Sequence, residues 1–172
     1  MMERDMRLNL RKFSYRFGEE VLNSSLAIKQ EIEGILTDLT FDSNTLSRPQ
    51  FNLVLREAFV KKGWEDQPYV FGDPGDPGAK MDFLKSRVGI EVEFGHASFL
   101  GIDLLKFQVS SYAALNKIDV GVYIVTTRDF QTKMREYGNN WEGSLTFEKV
   151  VRYLPHLKSA IQVPIYVIGI NL

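Results

Sequence analysis

Three acidic residues on two adjacent predicted strands constrain this chain more than any other feature of its sequence. Side chains alternate between the two faces of a strand, so Glu91 and Glu93 project from one face while the residues around them form an apolar face. A short apolar run precedes them and joins them through Ser86-Arg87. A hairpin that closes at this dipeptide places Asp82 opposite Glu91. The sequence therefore predicts a cluster of three carboxylates on one face of a sheet.

Opposed carboxylates destabilise a sheet unless a cation or a raised pKa relieves their repulsion. The chain has no cysteine and only two histidines, which excludes disulfides and thiolate zinc sites and disfavours a multi-histidine site. A cluster of carboxylates favours a hard cation such as Mg²⁺, Mn²⁺ or Ca²⁺. Gly89 and Gly95 flank the two glutamates and predict open space beside them. The alternative interpretation is an ordinary half-exposed strand, since Glu-Val-Glu between hydrophobic residues is also typical of one.

Length and composition predict a single globular domain over residues 1–172. Hydrophobic residues make up 44% of the chain and charged residues 25%, and the net charge of −1 does not indicate a partner. No apolar run approaches the ~20 residues of a membrane span, and the N-terminus is charged rather than signal-like. We therefore expect a cytoplasmic protein that makes no membrane contact.

Hydrophobic periodicity and turn residues predict the element order α-α-β-β-α-β-α-β, which is a mixed α/β sheet flanked by helices. The predicted elements are helices at 19–39 and 49–62 within a helical N-terminal region of about 1–63, the carboxylate hairpin at about 80–95, a helix at 99–116, strands at 120–125 and 163–170, and a helix capped by Thr146. Residues 72–78 are a turn-rich loop. Apolar residues at helical spacing predict the face by which the helix at 99–116 packs on the sheet; they are Ile102, Leu105, Val109 and Tyr112.

An α-ββ-α-β core with an aspartate on its second element and Glu-x-Glu on the next strand resembles the PD-(D/E)xK nuclease fold of type II restriction endonucleases. The spacing from Asp82 to Glu91 is similar to that of the BglII and BstYI branch, and a glutamate at the third position is similar to BamHI. The pattern extends from about residue 49 to residue 127. The resemblance implies a restriction-endonuclease-like core and a site-specific DNA endonuclease.

The resemblance also implies roles for the site residues. Asp82 and Glu91 would bind the metal with the backbone carbonyl of Val92, and the ion would be Mg²⁺, for which Mn²⁺ could substitute. Glu93 occupies the position that is lysine in most of the superfamily, so it would act as a base or as a second metal ligand. The substrate would be double-stranded DNA, cut to leave 5′-phosphate and 3′-hydroxyl ends. The protein would act as a homodimer, with the helices at 19–39 and 49–62 as the expected dimer surface.

The resemblance and the local chemistry together predict DNA contacts at Lys85, Arg87, His96, Ser98, Lys106, Arg135, Asn139 and Asn140. Asparagine can pair bidentately with adenine, and arginine with guanine. Weaker candidates for supporting polar residues are Glu57, Gln67 and Gln108. Ordinary interpretations remain open for many of these residues, because lysines at strand edges also prevent sheet pairing and Gly-Asn is a common turn.

Three other functions remain open at this point. A repair or structure-selective nuclease would use the same chemistry without reading a sequence. A DNA-binding or assembly module could keep the fold and lose activity, and Glu93 in place of lysine is compatible with that. A Ca²⁺-stabilised protein without enzymatic activity is the third, although the acidic residues lack the spacing of an EF-hand loop.

Overall fold

The computed structural model describes residues 6–42, 44–71, 80–112 and 115–172. The turn-rich loop predicted at 72–78 lies outside the described residues. Within the described ranges, no helix is both long enough and apolar enough to cross a membrane.

The core of the fold is a mixed β-sheet. The strands are β1 (Met6–Arg7), β2 (Asn9–Tyr15), β3 (Thr40–Phe41), β4 (Glu65–Asp66), β5 (Phe83–Lys85), β6 (Val88–Glu93), β7 (Val120–Thr126) and β8 (Ile165–Asn171). In the described part of the chain, one sheet has the order β2-β8-β7-β6-β5-β4, and β1 pairs with β3 apart from it. Strands β6, β7 and β8 are parallel, whereas β2, β5 and β4 pair in the antiparallel sense. The predicted α/β class with a mixed sheet is confirmed.

Helices cover both faces of this sheet. They are α1 (Gly18–Asn23), α2 (Leu26–Asp38), α3 (Arg48–Lys61), α4 (Leu100–Ser111), α5 (Arg128–Glu136) and α6 (Phe147–Tyr153). Residues of α2, α3 and α5 pack on one face, which we call the first face. Residues of α4 and α6 pack on the opposite, second face. Strands β7 and β8 are buried almost throughout, as expected for continuous apolar runs that are covered on both sides.

The start of the chain differs from the predicted N-terminal helices, because residues 9–15 form the edge strand β2. Its basic residues alternate between the two faces, where acidic residues of the covering helices pair with them. Arg11 pairs with Glu148 of α6 at 2.6 Å, and Lys12 pairs with Glu33 of α2 at 2.8 Å. Pairing with β8 thus decides the conformation of this segment, and that contact is remote in sequence.

The helices differ from the prediction in two further places. The helix expected at 19–39 is divided into α1 and α2, and the Ser24 hydroxyl at the break donates to the Val21 carbonyl at 2.6 Å. Serine side chains compete in this way with the hydrogen bonds of a helix. Helix α5 was not predicted, although Thr127 caps it by accepting a hydrogen bond from the Phe130 N–H at 3.1 Å.

Helix α4 packs on the sheet with the side opposite to the predicted one. The apolar stripe that should have been buried is 37% to 54% exposed; it consists of Ile102, Leu105, Val109 and Tyr112. The side that faces the sheet is formed by Asp103, Leu104, Phe107 and Ser110. The charged residues of this helix, Asp103 and Lys106, therefore lie toward the sheet, where the carboxylates of β6 are.

The core on the first face is aromatic and also fixes a long loop. The Phe51 ring lies against Phe41, Phe94, Phe130 and Trp141, with ring centroids 4.1 to 5.7 Å apart. The Trp141 indole N–H donates to the Leu46 carbonyl at 2.9 Å. Trp141 belongs to the polar segment that follows α5, so this segment is anchored in the core.

Candidate active site

The predicted carboxylate hairpin is present. Phe83 pairs with Ile90 and Lys85 with Val88, so the turn consists of Ser86 and Arg87. Both turn residues have positive φ, 49° and 65°, the backbone that a two-residue hairpin turn requires even though neither residue is glycine or asparagine.

The pairing in the hairpin places Asp82 just beyond the end of β5, beside β6. Its Oδ2 accepts a hydrogen bond from the Val92 N–H at 2.7 Å. The Asp82 carboxylate thus takes the place of a strand partner at this point of β6. As a consequence, it lies within reach of Glu91.

The two glutamates project from β6 toward the second face. Glu91 is only 3% exposed, and the Glu93 carboxylate turns back to accept a hydrogen bond from the Gly95 N–H. The expectation of open space beside the glycines is wrong. A Cβ at Gly89 would lie 2.3 Å from Met81 Sδ, and one at Gly95 would lie 2.6 Å from Glu93 Oε1. The glycines instead allow neighbouring side chains to approach the strand closely.

Helix α4 adds two charged residues to this cluster. Lys106 Nζ lies 3.2 Å from Glu91 Oε1 and 3.4 Å from Asp103 Oδ1. The other oxygen of Asp103 accepts a hydrogen bond from the Tyr123 hydroxyl at 2.9 Å. Tyr123 is fully buried and pairs with Glu91 in the register of β6 and β7. The cluster thus joins four carboxylates and one ammonium group.

The pKa values of the carboxylates are raised, because they are buried beside one another. Burial and then the charges of Asp82 and Asp103 raise the pKa of Glu91 to about 10. Burial and the charge of Asp103 raise the pKa of Glu93 to about 7. Burial also raises the pKa of Asp82 and of Asp103. Neighbouring buried carboxylates with perturbed pKa values are typical of a functional site.

The same cluster has the chemistry of a site for a divalent cation. Glu91 Oε1 is buried and has no hydrogen-bond partner, although Lys106 Nζ lies 3.2 Å away. A buried carboxylate oxygen requires a nearby cation, and the Lys106 ammonium group supplies one in this structure. In the described residues as they stand, no three acidic or histidine side chains converge on a single point. Asp82 and Glu93 each accept a hydrogen bond from a backbone N–H, which a metal ion would have to replace.

A cavity of about 350 Å³ on the first face reaches Asp82. It lies between α3 and the hairpin, and its lining includes Asn52, Arg56, Gln67, Asp82 and Val92. The Gln67 N–H donates to the Asp82 carbonyl at 2.9 Å, so Gln67 lies beside the carboxylates. This cavity gives solvent and small ions a path to Asp82.

The other two supporting candidates lie apart from the cluster. Glu57 is exposed on α3. The Gln108 side-chain oxygen accepts hydrogen bonds from the N–H groups of Gln162 and Val163, at 2.6 and 3.1 Å. Gln108 therefore fixes the segment that enters β8.

Two of the predicted DNA-contacting residues lie at the turn of the hairpin and form ion pairs. Lys85 contacts Glu31 at 2.7 Å, and Arg87 contacts Asp119 at 2.7 Å. The alternation of the strand directs Lys85 to the face opposite the carboxylates. Lys106 was also predicted to contact DNA, and it lies in the carboxylate cluster.

The remaining predicted contacts lie beyond the end of β6 and in the segment that follows α5. His96 and Ser98 are exposed and hydrogen-bonded to each other at 2.9 Å. His96 forms an isolated bridge with Ser144, at the end of the polar segment 137–144. Asn139 and Asn140 belong to the same segment, nearer to α5. Arg135, at the end of α5, forms an ion pair with Glu142.

Sequence reasoning did not find Asp103 and Tyr123. The available signal was an acidic and a basic residue three apart, Asp103 and Lys106, in a helix that is otherwise free of charge. That pattern indicates an internal ion pair when the rest of the helix is apolar. Tyr123 carried no signal, because a tyrosine in a buried strand is typical of a core residue.

Comparisons with known proteins agree with this fold. The family model of restriction endonuclease BglII/BglIII matches residues 10–170, a longer stretch than the motif alone indicated. A crystal structure of restriction endonuclease BglII complexed with a DNA 16-mer has 20% sequence identity and a TM-score of 0.68, and the match covers 97% of this chain and 79% of BglII. Free BglII has the same identity and a TM-score of 0.64, with 97% and 80% covered. No curated protein sequence matches the chain. The match over nearly its whole length places the chain in the BglII/BglIII family of restriction endonucleases.

Proposed function

We propose that this chain hydrolyses phosphodiester bonds of double-stranded DNA at a specific sequence, with a divalent metal held by Asp82, Glu91 and the carbonyl of Val92. Mg²⁺ is the proposed ion, and Mn²⁺ is expected to substitute for it. The observation that carries this proposal is the buried carboxylate cluster of a chain that belongs to a restriction endonuclease family. The buried Glu91 carboxylate, which already lies beside a cation at Lys106 Nζ, supports the assignment of this residue as a ligand.

The residues around the metal have separate tasks in this reaction. A bound divalent ion lowers the pKa of water and stabilises the leaving oxygen. Glu93 has a pKa of about 7, which suits a group that accepts a proton from the attacking water near neutral pH. Its contact with Asp103 and with the Gly95 N–H keeps its carboxylate oriented toward the cluster.

Sequence readout is proposed for the surface formed by His96, Ser98, Asn139 and Asn140, with Arg135 beside it. This surface begins directly after Glu93, so a base edge that it contacts would lie near the phosphodiester bond that is cut. Asparagine amides and histidine offer the donors and acceptors that distinguish bases in the major groove. The Arg135–Glu142 pair is exposed, so Arg135 can exchange this partner for a base or a phosphate at little cost.

A homodimer is proposed through the exposed side of α4. Five apolar side chains lie along it, each between 37% and 54% exposed: Phe99, Ile102, Leu105, Val109 and Tyr112. A row of five exposed apolar side chains is typical of a surface that binds another protein. A second copy is the proposed occupant, because one site cuts one strand and a two-fold dimer matches a two-fold duplex. The sequence prediction of an interface formed by the helices at 19–39 and 49–62 is the alternative to this surface.

The dimer is tested with Leu105→Asp, because a charge in the middle of the stripe should separate the subunits. We expect a dimeric mass for the parent protein and a monomeric mass for the variant in light scattering after gel filtration. Glu136→Asp, on the exposed end of α5, is the control. A monomeric parent protein at micromolar concentration would contradict the proposal.

The activity is tested by incubating plasmid DNA with the protein and Mg²⁺. We expect discrete fragments from the parent protein and no cleavage by Asp82→Ala or Glu91→Gln. Circular dichroism spectra of the variants must match that of the parent protein, so that the loss is attributed to chemistry. A smear of fragments would indicate a nuclease without sequence readout, and equal cleavage by Glu91→Gln would refute the assignment of this residue.

A further inference from the structure

Lys106 is the one residue of the carboxylate cluster whose role the reaction above does not explain. Its side chain is only 13% exposed, although lysine is among the residues least often buried. Among the described residues, its ammonium group is the cation that contacts the buried carboxylates, 3.2 Å from Glu91 Oε1 and 3.4 Å from Asp103 Oδ1. The burial of a lysine beside a proposed metal ligand therefore has to be explained.

Residues other than the proposed metal ligands hold Lys106 in position. Asp103 lies one helical turn before it, and the Tyr123 hydroxyl holds the second oxygen of Asp103 at 2.9 Å. The Lys106 carbonyl accepts a hydrogen bond from the Ser110 hydroxyl at 2.6 Å, within the same helix. These contacts connect the buried strand β7, through Tyr123, to the carboxylate of Glu91.

The Lys106 ammonium group lies between two carboxylates. Nζ forms an ion pair with Glu91 Oε1 at 3.2 Å and donates a hydrogen bond to Asp103 Oδ1 at 3.4 Å. The ammonium group is thus shared between Glu91 and Asp103.

We infer that Lys106 is a positioning residue whose charge takes the place of the metal in the metal-free protein. In the metal-free protein the ammonium group occupies the place beside Glu91 Oε1, and a divalent ion held by Asp82 and Glu91 would take that place while Asp103 keeps its contact with Nζ. The cation and the metal compete for the same carboxylate oxygen, so removing the ammonium strengthens metal binding. This inference rests on the proposed metal site at Asp82 and Glu91.

The competition is measured by titrating the metal-free protein with Ca²⁺ in a calorimeter, without DNA. We expect Lys106→Met to bind Ca²⁺ at least tenfold more tightly than the parent protein. Lys106→Arg keeps the charge and should stay within threefold of the parent. Lys149→Met removes a lysine that lies over the Tyr153 ring on α6 and is the control for a change of net charge.

Thermal unfolding gives a second readout that does not depend on catalysis. We expect Lys106→Met to melt at a lower temperature than the parent protein without metal, and saturating Ca²⁺ to raise its melting temperature by more than that of the parent. Weaker or equal Ca²⁺ binding by Lys106→Met would overturn the inference.

Two further measurements keep the test decisive. If Lys106→Met does not fold without metal, a crystal structure of the parent protein with Ca²⁺ decides instead. A Lys106 Nζ that moves beyond 4 Å from Glu91 Oε1 supports the inference, and one that stays at hydrogen-bonding distance refutes it. Asp82→Asn separates the two proposals, because Ca²⁺ affinity that is unchanged in this variant contradicts the metal site itself.

Discussion

Replacing Glu91 by glutamine should make the metal-free protein more stable while abolishing its activity. Glu91 is 3% exposed, and burial and the charge of Asp82 raise its pKa from 4.5 to about 10. The folded protein therefore retains a proton that the unfolded chain has already lost above about pH 4.5. Glutamine has nearly the same shape and does not ionise, so it avoids this cost.

The size of the effect follows from proton linkage. Because the folded-state pKa is raised, the parent protein loses stability as the pH rises from the unfolded pKa toward the folded pKa. Each pH unit in that window corresponds to about 1.4 kcal/mol. Between about pH 5.5 and about pH 8, the stability of Glu91→Gln relative to the parent protein should therefore increase by about 3 kcal/mol. The neighbouring carboxylates contribute to both proteins, so they largely cancel in the difference.

Urea unfolding of both proteins at several pH values, in the presence of a chelator, measures this difference. Glu136→Gln makes the same chemical change at an exposed position and should give a difference that does not depend on pH. Added Ca²⁺ should restore the stability of the parent protein more than that of Glu91→Gln, because the ion requires the carboxylate. A stability difference that stays constant between about pH 5.5 and about pH 8 would refute this account of the buried cluster.

Three other substitutions test the aromatic core, the hairpin turn and Glu93 as the proposed catalytic base. Phe51→Ala removes a ring that contacts four aromatic residues and should cost about 3–5 kcal/mol in urea unfolding, whereas Leu53→Ala, at an exposed position of the same helix, should cost far less. Ser86→Asn places a residue that tolerates positive φ in the hairpin turn and should raise the melting temperature, with a gain of about 0.5 kcal/mol. Glu93→Gln should reduce the rate of DNA cleavage about 10²-fold or more while it still binds Ca²⁺, which a cleavage assay and calorimetry check together.

The hairpin could be predicted from sequence because its signals are local. The alternation of Glu91 and Glu93 with apolar residues determines which side chains share a face, and the short spacing to Asp82 leaves room for a two-residue turn. The buried strands β7 and β8 were found for a similar reason, since continuous apolar runs are typical of strands covered on both faces. These features depend on neighbours within a few residues.

The orientation of α4 could not be predicted in the same way. Its apolar stripe has the spacing of a face that packs on a sheet, and that face is exposed instead. The inner side carries Lys106, which forms an ion pair with Glu91 of β6, and Asp103, which accepts a hydrogen bond from Tyr123 of β7. Strand β2 was missed for a comparable reason, because only its pairing with β8 makes residues 9–15 a strand. In both cases the local sequence pattern is compatible with two conformations, and a contact remote in sequence decides which one forms.

The charges of the cluster also explain why a glutamate can stand at position 93. Asp82, Glu91, Glu93 and Asp103 bring four negative charges together when they are ionised, and Lys106 supplies one positive charge. A divalent ion at Asp82 and Glu91 leaves one negative charge uncompensated, and Glu93 is the carboxylate farthest along β6 toward the exposed His96. That remaining charge is therefore best carried by Glu93, as a base that accepts a proton or as a ligand to a second ion. A lysine at position 93 would change the net charge of the metal-bound site from −1 to +1 and remove both options. Lys106 on α4 and Glu93 on β6 thus form a set in which the positive charge comes from the helix and the base from the strand.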